Sequence, residues 1–430
     1  MIFDEDLTNR IRAEFPMCEC DAKGRRRAFL DNGAGALVAE RAAKAEAQAR
    51  INYSANVGSI FEESRGAQAI IQEGRSAIAD LLNAPTPETI VSGESATSLL
   101  FSLGYAIGRE LSGRENIVTT EYEHYANLSP WIELEQRHVI EEVRFTRVNK
   151  EEGILDIEHL RDLVDKDTKV IAVAAASNVL GTKTPLREIA EIAREADAYL
   201  VVDAVHRIPH GPIDVQEIDC DFLVFSGYKF FSSHGSFLYG KEEPLNTLRP
   251  YKVSPASNRS PAKWEWGTRD QAKFAAICGV IDHLTWLSDQ ITNRYQDQFK
   301  NYDGRVRSLK VAMNAIERYC RELSRATLTG VEDTPGLLDM PDVRVYGPTD
   351  PSRLEERDPT FSFKVKGLAD EEVVERLWTT HGIAVRAEDF YSMVPKVYGV
   401  PSMVRASFVH YNTLEEVRGL LGALSEIVKG

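Results

Sequence analysis

The sequence contains no run of about 18 apolar residues, so no segment is expected to cross a membrane as a helix. Its start, Met1 to Asp6, is acidic and lacks the positive charge and apolar stretch of a secretory signal, which points to a cytoplasmic protein. Cysteine is scarce: 5 in 430 residues, at positions 18, 20, 220, 278 and 320. An odd, scattered set does not make a disulfide framework. Cys18-x-Cys20 is too tight for the usual zinc spacing and has no His or Cys partner nearby, so no metal is expected. Basic residues are outnumbered, 51 against 66 acidic ones, for a formal charge of −15, and the one basic block is Arg25-Arg26-Arg27. Nucleic-acid backbones and anionic membranes both require a concentrated cationic face, so neither is an expected partner.

What the chain does have is the makeup of a globular protein, 43% hydrophobic and 27% charged. Its length fits two or three domains, or one large fused α/β body. Residues 115–122, 169–176, 199–203 and 221–225 are short apolar runs of the kind that strands buried on both faces produce. Residues 185–196 carry apolar side chains at helical spacing, with Pro185 in the first turn. This alternation predicts an α/β fold with a mostly parallel sheet covered by helices and a ligand site at the carboxyl ends of the strands. Beyond residue 284 the rhythm changes. A helical stretch over 284–323 precedes strands at 342–346, 360–365, 383–386 and 404–408 and helices at 369–381 and 413–428, a mixed order that predicts a smaller α+β domain. The expected boundaries are 26–284 for the large domain and 1–25 plus 285–430 for the small one.

One cluster of residues stands out chemically. Asp203 ends a buried strand, where a carboxylate needs a cation or hydrogen bonds, and Lys229 follows the next strand within Ser226-Gly-Tyr-Lys229. From these residues alone two readings stay open, a structural ion pair or a site for pyridoxal 5'-phosphate. In the second, the lysine forms an imine with the cofactor and the aspartate keeps the pyridine nitrogen protonated. Val91-Ser-Gly93-Glu-Ser95 opens a helix and reads either as a plain cap or as a phosphate cradle.

Several segments together carry a resemblance: Glu123-His124-Tyr-Ala-Asn127, Ala176-Ser-Asn178-Val-Leu-Gly181-Thr182, Val202-Asp203-Ala-Val-His206, Ser226-Gly-Tyr-Lys229 and Arg405-Ala-Ser-Phe. In this order the chain, from about Phe29 onward, resembles the class V aminotransferase superfamily, in its branch of cysteine desulfurase-like and selenocysteine lyase-like proteins. The resemblance implies the fold type I architecture of pyridoxal-phosphate enzymes, with a mostly parallel, seven-stranded sheet in the large domain. It assigns Lys229 to the Schiff base, Asp203 to the pyridinium, His124 to the stack on the cofactor ring, and Asn178 to the neighbourhood of the phenolic oxygen; His206 departs from the family, which often has Gln there, though a neutral imidazole can still donate to that oxygen. Ser95, Ser226 and Thr268 match phosphate-binding positions, with Glu94 in the same turn as Ser95 expected to face outward; Tyr228 departs from the family, which often has a histidine there, though its hydroxyl can still bind phosphate. Thr268 is implied to reach a second subunit, hence a homodimer with shared sites. Arg405 matches the arginine that holds the substrate carboxylate, a role that suits its bidentate fork. Asn32, Gly33, Asn56 and Tyr391 are the expected walls of the pocket for a small amino-acid substrate.

The sequence departs from the resembled desulfurases at one position that matters for the reaction. Those enzymes carry a mobile cysteine after the motif that here reads Arg386-Ala-Glu-Asp-Phe-Tyr391-Ser-Met393, and Tyr391 takes its place; no cysteine follows Cys320. A phenol cannot store sulfur as a persulfide. The expected activity is therefore a carbon–sulfur β-lyase acting on an S-substituted cysteine, with Lys229 as the α-proton base and Tyr391 as a gate or proton donor. Aminotransferase or epimerase chemistry is the alternative, followed by cysteine desulfurase or selenocysteine lyase and, last, a non-catalytic scaffold.

Overall fold

The computed structural model describes residues 2–295 and 298–429. Seven strands form its main sheet: β1 (Ile90–Gly93), β2 (Asn116–Thr120), β3 (Glu142–Thr146), β4 (Thr168–Ala174), β5 (Tyr199–Asp203), β6 (Phe222–Ser226) and β7 (Ser236–Gly240). Their order is β1-β7-β6-β5-β4-β2-β3. Strands β2 to β6 pair in parallel, while β7 runs antiparallel to both β6 and β1. The central strands are apolar throughout because helices cover both faces. Val201, Val202, Leu223, Val224 and Phe225 have no measurable exposure, and each such side chain contributes about 1.5–3 kcal/mol of burial. The helix Leu186–Glu195 seats Ile189, Ala190, Ile192 and Ala193 in the core, as its spacing predicted.

A second sheet follows, made of β8 (Val343–Tyr346), β9 (Thr360–Val365), β10 (Arg386–Glu388) and β11 (Met403–Ser407), antiparallel in the order β8-β9-β11-β10. Helices Asp370–His381 and Leu414–Lys429 accompany it. No described helix is long and apolar enough to cross a membrane, and the described residues hold no group of three or more metal-ligating side chains.

Three expectations are corrected. The single helical stretch over 284–323 is two helices, Gln271–Tyr295 and Gly304–Thr329; residues 296–297 within it lie outside the described residues, as do Met1 and Gly430 of the expected small domain. The strand expected at 383–386 divides, because Ile383–Ala384 pairs in parallel with Ala28–Phe29 while Arg386–Glu388 joins the second sheet. Of the segment Val91–Ser95 expected to open a helix, Val91–Gly93 ends strand β1, and the helix begins at Ala96 with Ser95 as its cap.

Candidate active site

All the parallel strands end on the same edge of the sheet, and the chemistry-bearing residues leave from those ends. His124 follows β2, Asn178 follows β4, Asp203 closes β5, and Ser226 closes β6 just before Lys229. The register brings the remaining loop alongside: Ser236 of β7 pairs with Ser226 on one side and with Gly93 on the other, and the Ser226 and Ser236 hydroxyls lie 2.8 Å apart. Gly93 is required by contact, since a Cβ there would stand 2.6 Å from Leu99 Cγ. Strand β7 thereby joins the edge strand β1 to β6, the strand that delivers Lys229.

These loops line a cavity with Ser95, His124, Asn178, Asp203, His206, Ser226, Tyr228 and Lys229. Ser95 caps the helix Ala96–Gly108 through a reciprocal pair with Ser98. The helix cannot satisfy the amides of its own first turn, and two residues of that turn, Ala96 and Thr97, line the cavity. A dianionic group is favoured at such an end.

Electrostatics inside the cavity follow from burial. Asp203 is 5% exposed, and its carboxylate makes one hydrogen bond among the described residues, from the Val205 N–H to Oδ1 at 2.9 Å. Desolvation raises its pKa, opposed by the Val205 hydrogen bond and by the charge of Lys229. Burial, followed by the nearby charge of Arg405, pulls the Lys229 ammonium down to about 8, against the opposite pull of Asp203. His124 is lowered to about 4, first by desolvation and then by Lys229 and Arg405. His206 is held neutral by burial, with Nε2 3.0 Å from the Thr360 hydroxyl.

The residues present fit pyridoxal phosphate. A buried acid with a single hydrogen bond suits a pyridinium N–H, a lysine with a depressed pKa suits an aldehyde, and Asn178 Oδ1 is buried without a partner. The same side chain donates through Nδ2 to the Phe390 carbonyl at 3.0 Å.

The other expected residues lie around or away from this cavity. Arg405 is 2% exposed and donates from Nη1 to the Asn178 carbonyl at 2.8 Å. Asn32 is taken up by the scaffold, donating to the Ser407 carbonyl and Asn412 Oδ1 and accepting from the Tyr411 hydroxyl. Gly33 lies against Arg405. Tyr391 is 66% exposed, its ring centroid 6.1 Å from that of His124, and its carbonyl accepts the Tyr125 N–H at 2.8 Å. Glu94 points away, 86% exposed and paired with Lys273 at 2.6 Å. Glu94 and Thr268 line a neighbouring cavity, and Asn56 lines a third with Thr268. Thr97, Ala176 and Val205 line the main cavity without having been expected there. Of these, only Thr97, in the helix turn after Ser95, offered a sequence signal.

Comparison with known proteins agrees with this geometry. The chain matches the family described as aminotransferase class-V over residues 28–318 and 305–420. It is 30% identical over 434 residues to a cysteine desulfurase of Pectobacterium atrosepticum, covering 97% of each chain, and 31% identical to one of Klebsiella pneumoniae, covering 98% of each. Among solved structures, a cysteine desulfurase of Thermococcus onnurineus superposes with a TM-score of 0.83 at 27% identity, covering 98% of both chains. One of Escherichia coli superposes with a TM-score of 0.79 at 26% identity, covering 99% of both. With the lysine, the aspartate and the helix end converging on one cavity, the chain belongs to the class V aminotransferase family and is a pyridoxal-phosphate-dependent enzyme of fold type I.

Proposed function

We propose that this enzyme is a carbon–sulfur β-lyase acting on an S-substituted cysteine. The observation that carries the reading is the absence of a thiol from the cavity. None of the five cysteines lines it. Burial pushes the thiols of Cys18 and Cys278 up to about 11 and about 12, and those of Cys220 and Cys320 further still. Tyr391 stands beside His124, and the resemblance matches it to the position where the desulfurases keep their nucleophile. The relatives named as cysteine desulfurases support a sulfur-bearing amino acid as substrate.

When bound, pyridoxal phosphate supplies a ring that stabilises negative charge at the substrate α-carbon. The chain's residues do the rest. Lys229, with its pKa near 8, takes the α-proton, and Asp203 holds a proton at the ring nitrogen. His124 would stack on the ring, and Asn178 and His206 would serve its phenolic oxygen. Ser95, Ser226, Tyr228 and the helix amide of Thr97 would hold the phosphate. Arg405 takes the substrate carboxylate, and Tyr391 gates the mouth and protonates the departing sulfur. The carbon–sulfur bond breaks with its electron pair on sulfur, and water supplies the keto oxygen. One S-substituted cysteine and one water thus give a thiol, pyruvate and ammonium.

The position of Thr268 outside its own chain's cavity supports a homodimer in which it serves the partner's phosphate site, with the half-exposed Trp266 lining the same neighbouring cavity as Thr268. Residues 26–284 then form the cofactor domain, and 1–25 with 285–430 the smaller one. The test is product analysis with a panel of cysteine S-conjugates. Pyruvate with an equal amount of thiol is expected. Alanine would mean desulfuration, a keto acid retaining the sulfur would mean transamination, and racemised substrate would mean epimerisation; each would displace the lyase reading.

A further inference from the structure

The guanidinium of Arg405 is fixed in its plane. Its Cζ lies 4.1 Å from the centroid of the Phe390 ring, and the Gly33 backbone comes so near that a Cβ there would stand 2.9 Å from Cζ. Nη1 is used by the Asn178 carbonyl. The Nε–Nη2 edge is unpaired: Nε is buried without a partner, and Nη2 stands 3.7 Å from Asp31 Oδ1, too far for a good hydrogen bond. Asp31 Oδ1 is likewise buried and unbonded.

The reason lies on the other side of Asp31. Its Oδ2 accepts Nε of Arg386 at 3.0 Å and meets Nη2 of the same residue at 2.9 Å. Arg386 and Arg405 are cross-strand partners on β10 and β11, so one carboxylate lies between two guanidinium groups and sits nearer the outer one. The inner arginine is the more desolvated, 2% exposed at the side chain against 45% for Arg386, and attraction is stronger where water is excluded. The Asp31 backbone is anchored, its carbonyl accepting Ala34 N–H at 3.1 Å. Closing on Arg405 would therefore take only a rotation of the side chain.

We propose that Arg386 is a positioning residue that holds the Asp31 carboxylate off Arg405 and so keeps the Nε–Nη2 edge open for the substrate carboxylate. This rests on Arg405 taking that carboxylate, and not on which bond is broken afterwards. Without Arg386, Asp31 becomes an internal competitor for the edge. The loss then falls on half-saturation and not on later steps. Removing the Asp31 charge as well removes the competitor, so a second substitution repairs the first, which two merely structural lesions would not do.

The test uses the holoenzyme with two probes, L-alanine, which has no leaving group, and L-alaninamide, which has no carboxylate. Binding is read from the cofactor's visible absorbance. Arg386→Met is expected to raise the half-saturation for alanine roughly tenfold and leave that for alaninamide within about twofold. The double variant Asp31→Asn/Arg386→Met is expected to return alanine to within about threefold of the parent. The proposal is overturned by an unmoved alanine value in Arg386→Met, by a loss that persists in the double variant, or by an equal loss for alaninamide. Equal half-saturation for the two probes in the parent enzyme would remove the Arg405 reading beneath it, while failure of the lyase reading alone would leave both titrations intact.

Discussion

His124 Nδ1 accepts the backbone N–H of Ala126 at 3.0 Å, so the residue facing the cavity is also the cap of the helix Tyr125–Gln136. An accepting Nδ1 places the ring proton on Nε2, and a pKa near 4 keeps the ring neutral across the working range. The two roles separate by substitution. His124→Asn keeps a capping oxygen and removes the aromatic face; His124→Phe keeps the face and removes the cap. The asparagine variant is expected to lose under about 0.5 kcal/mol of stability and the phenylalanine variant about 1 kcal/mol. The cofactor's visible band should shift in the asparagine variant and stay near the parent position in the phenylalanine one. Urea unfolding and absorbance spectra check both halves, and a reversed pattern would remove the stacking role.

Lys229 gives a pH prediction for loading the apoprotein. Covalent capture of an aldehyde needs the neutral amine, and burial lowers this lysine from 10.5 to about 8. The charge is lost as pH rises through that value. The rate of capture should climb about tenfold per pH unit below 7 and level off above about 8.5. Stopped-flow absorbance after mixing apoprotein with pyridoxal phosphate measures it. A rate still climbing at pH 10 would mean an ordinary lysine.

A buried ion cluster makes acid stability predictable. Glu317 Oε1 meets Lys183 Nζ and Arg207 Nη2, each at 2.6 Å, and Arg207 Nη1 donates to Asp358 Oδ1 at 2.9 Å. Against the opposing cost of burial, these cations hold the Glu317 carboxyl down at about 2 from its ordinary 4.5. A carboxyl lowered on folding adds stability that is complete above its unfolded value and lost as pH falls through the folded one, here between about 4.5 and 2. Glu317→Gln should cost about 3 kcal/mol at pH 7 and progressively less below pH 4. Denaturant unfolding at pH 7 and pH 3 decides it, and an equal cost at both would contradict the assignment.

The fold is legible in the sequence where burial on both faces writes an apolar run, as at Tyr199–Asp203, or where apolar residues alternate with polar ones, as at Thr360–Val365; both strands have the bounds the sequence predicts. The strands toward the edges were not read. Glu142–Thr146 alternates charge with apolar side chains and is only partly buried, and Ser236–Gly240 is bounded by glycines that suggest a loop. In the site, polar residues following strands announced themselves by type, whereas Ala176 and Val205 contribute only by position. The Asp31–Arg386 contact spans 355 residues of sequence, and no local pattern joins its two ends.

Tyr391 offers the sharpest separation of mechanisms. Its ring is exposed beside His124 while its backbone is tied to Tyr125, at a left-handed φ of +50° shared in kind by Phe390 at +58°. If its hydroxyl protonates the leaving sulfur, removing that hydroxyl must hurt poor leaving groups more than good ones, because a stable thiolate departs without help. Tyr391→Phe is therefore expected to slow S-alkyl cysteines by roughly 100-fold and S-aryl cysteines by less than about threefold. Thiol release followed across a series graded by thiol acidity gives the slope directly. A uniform loss across the series would leave the residue as a gate alone, since a gate acts before the bond breaks and cannot sense how readily the sulfur leaves.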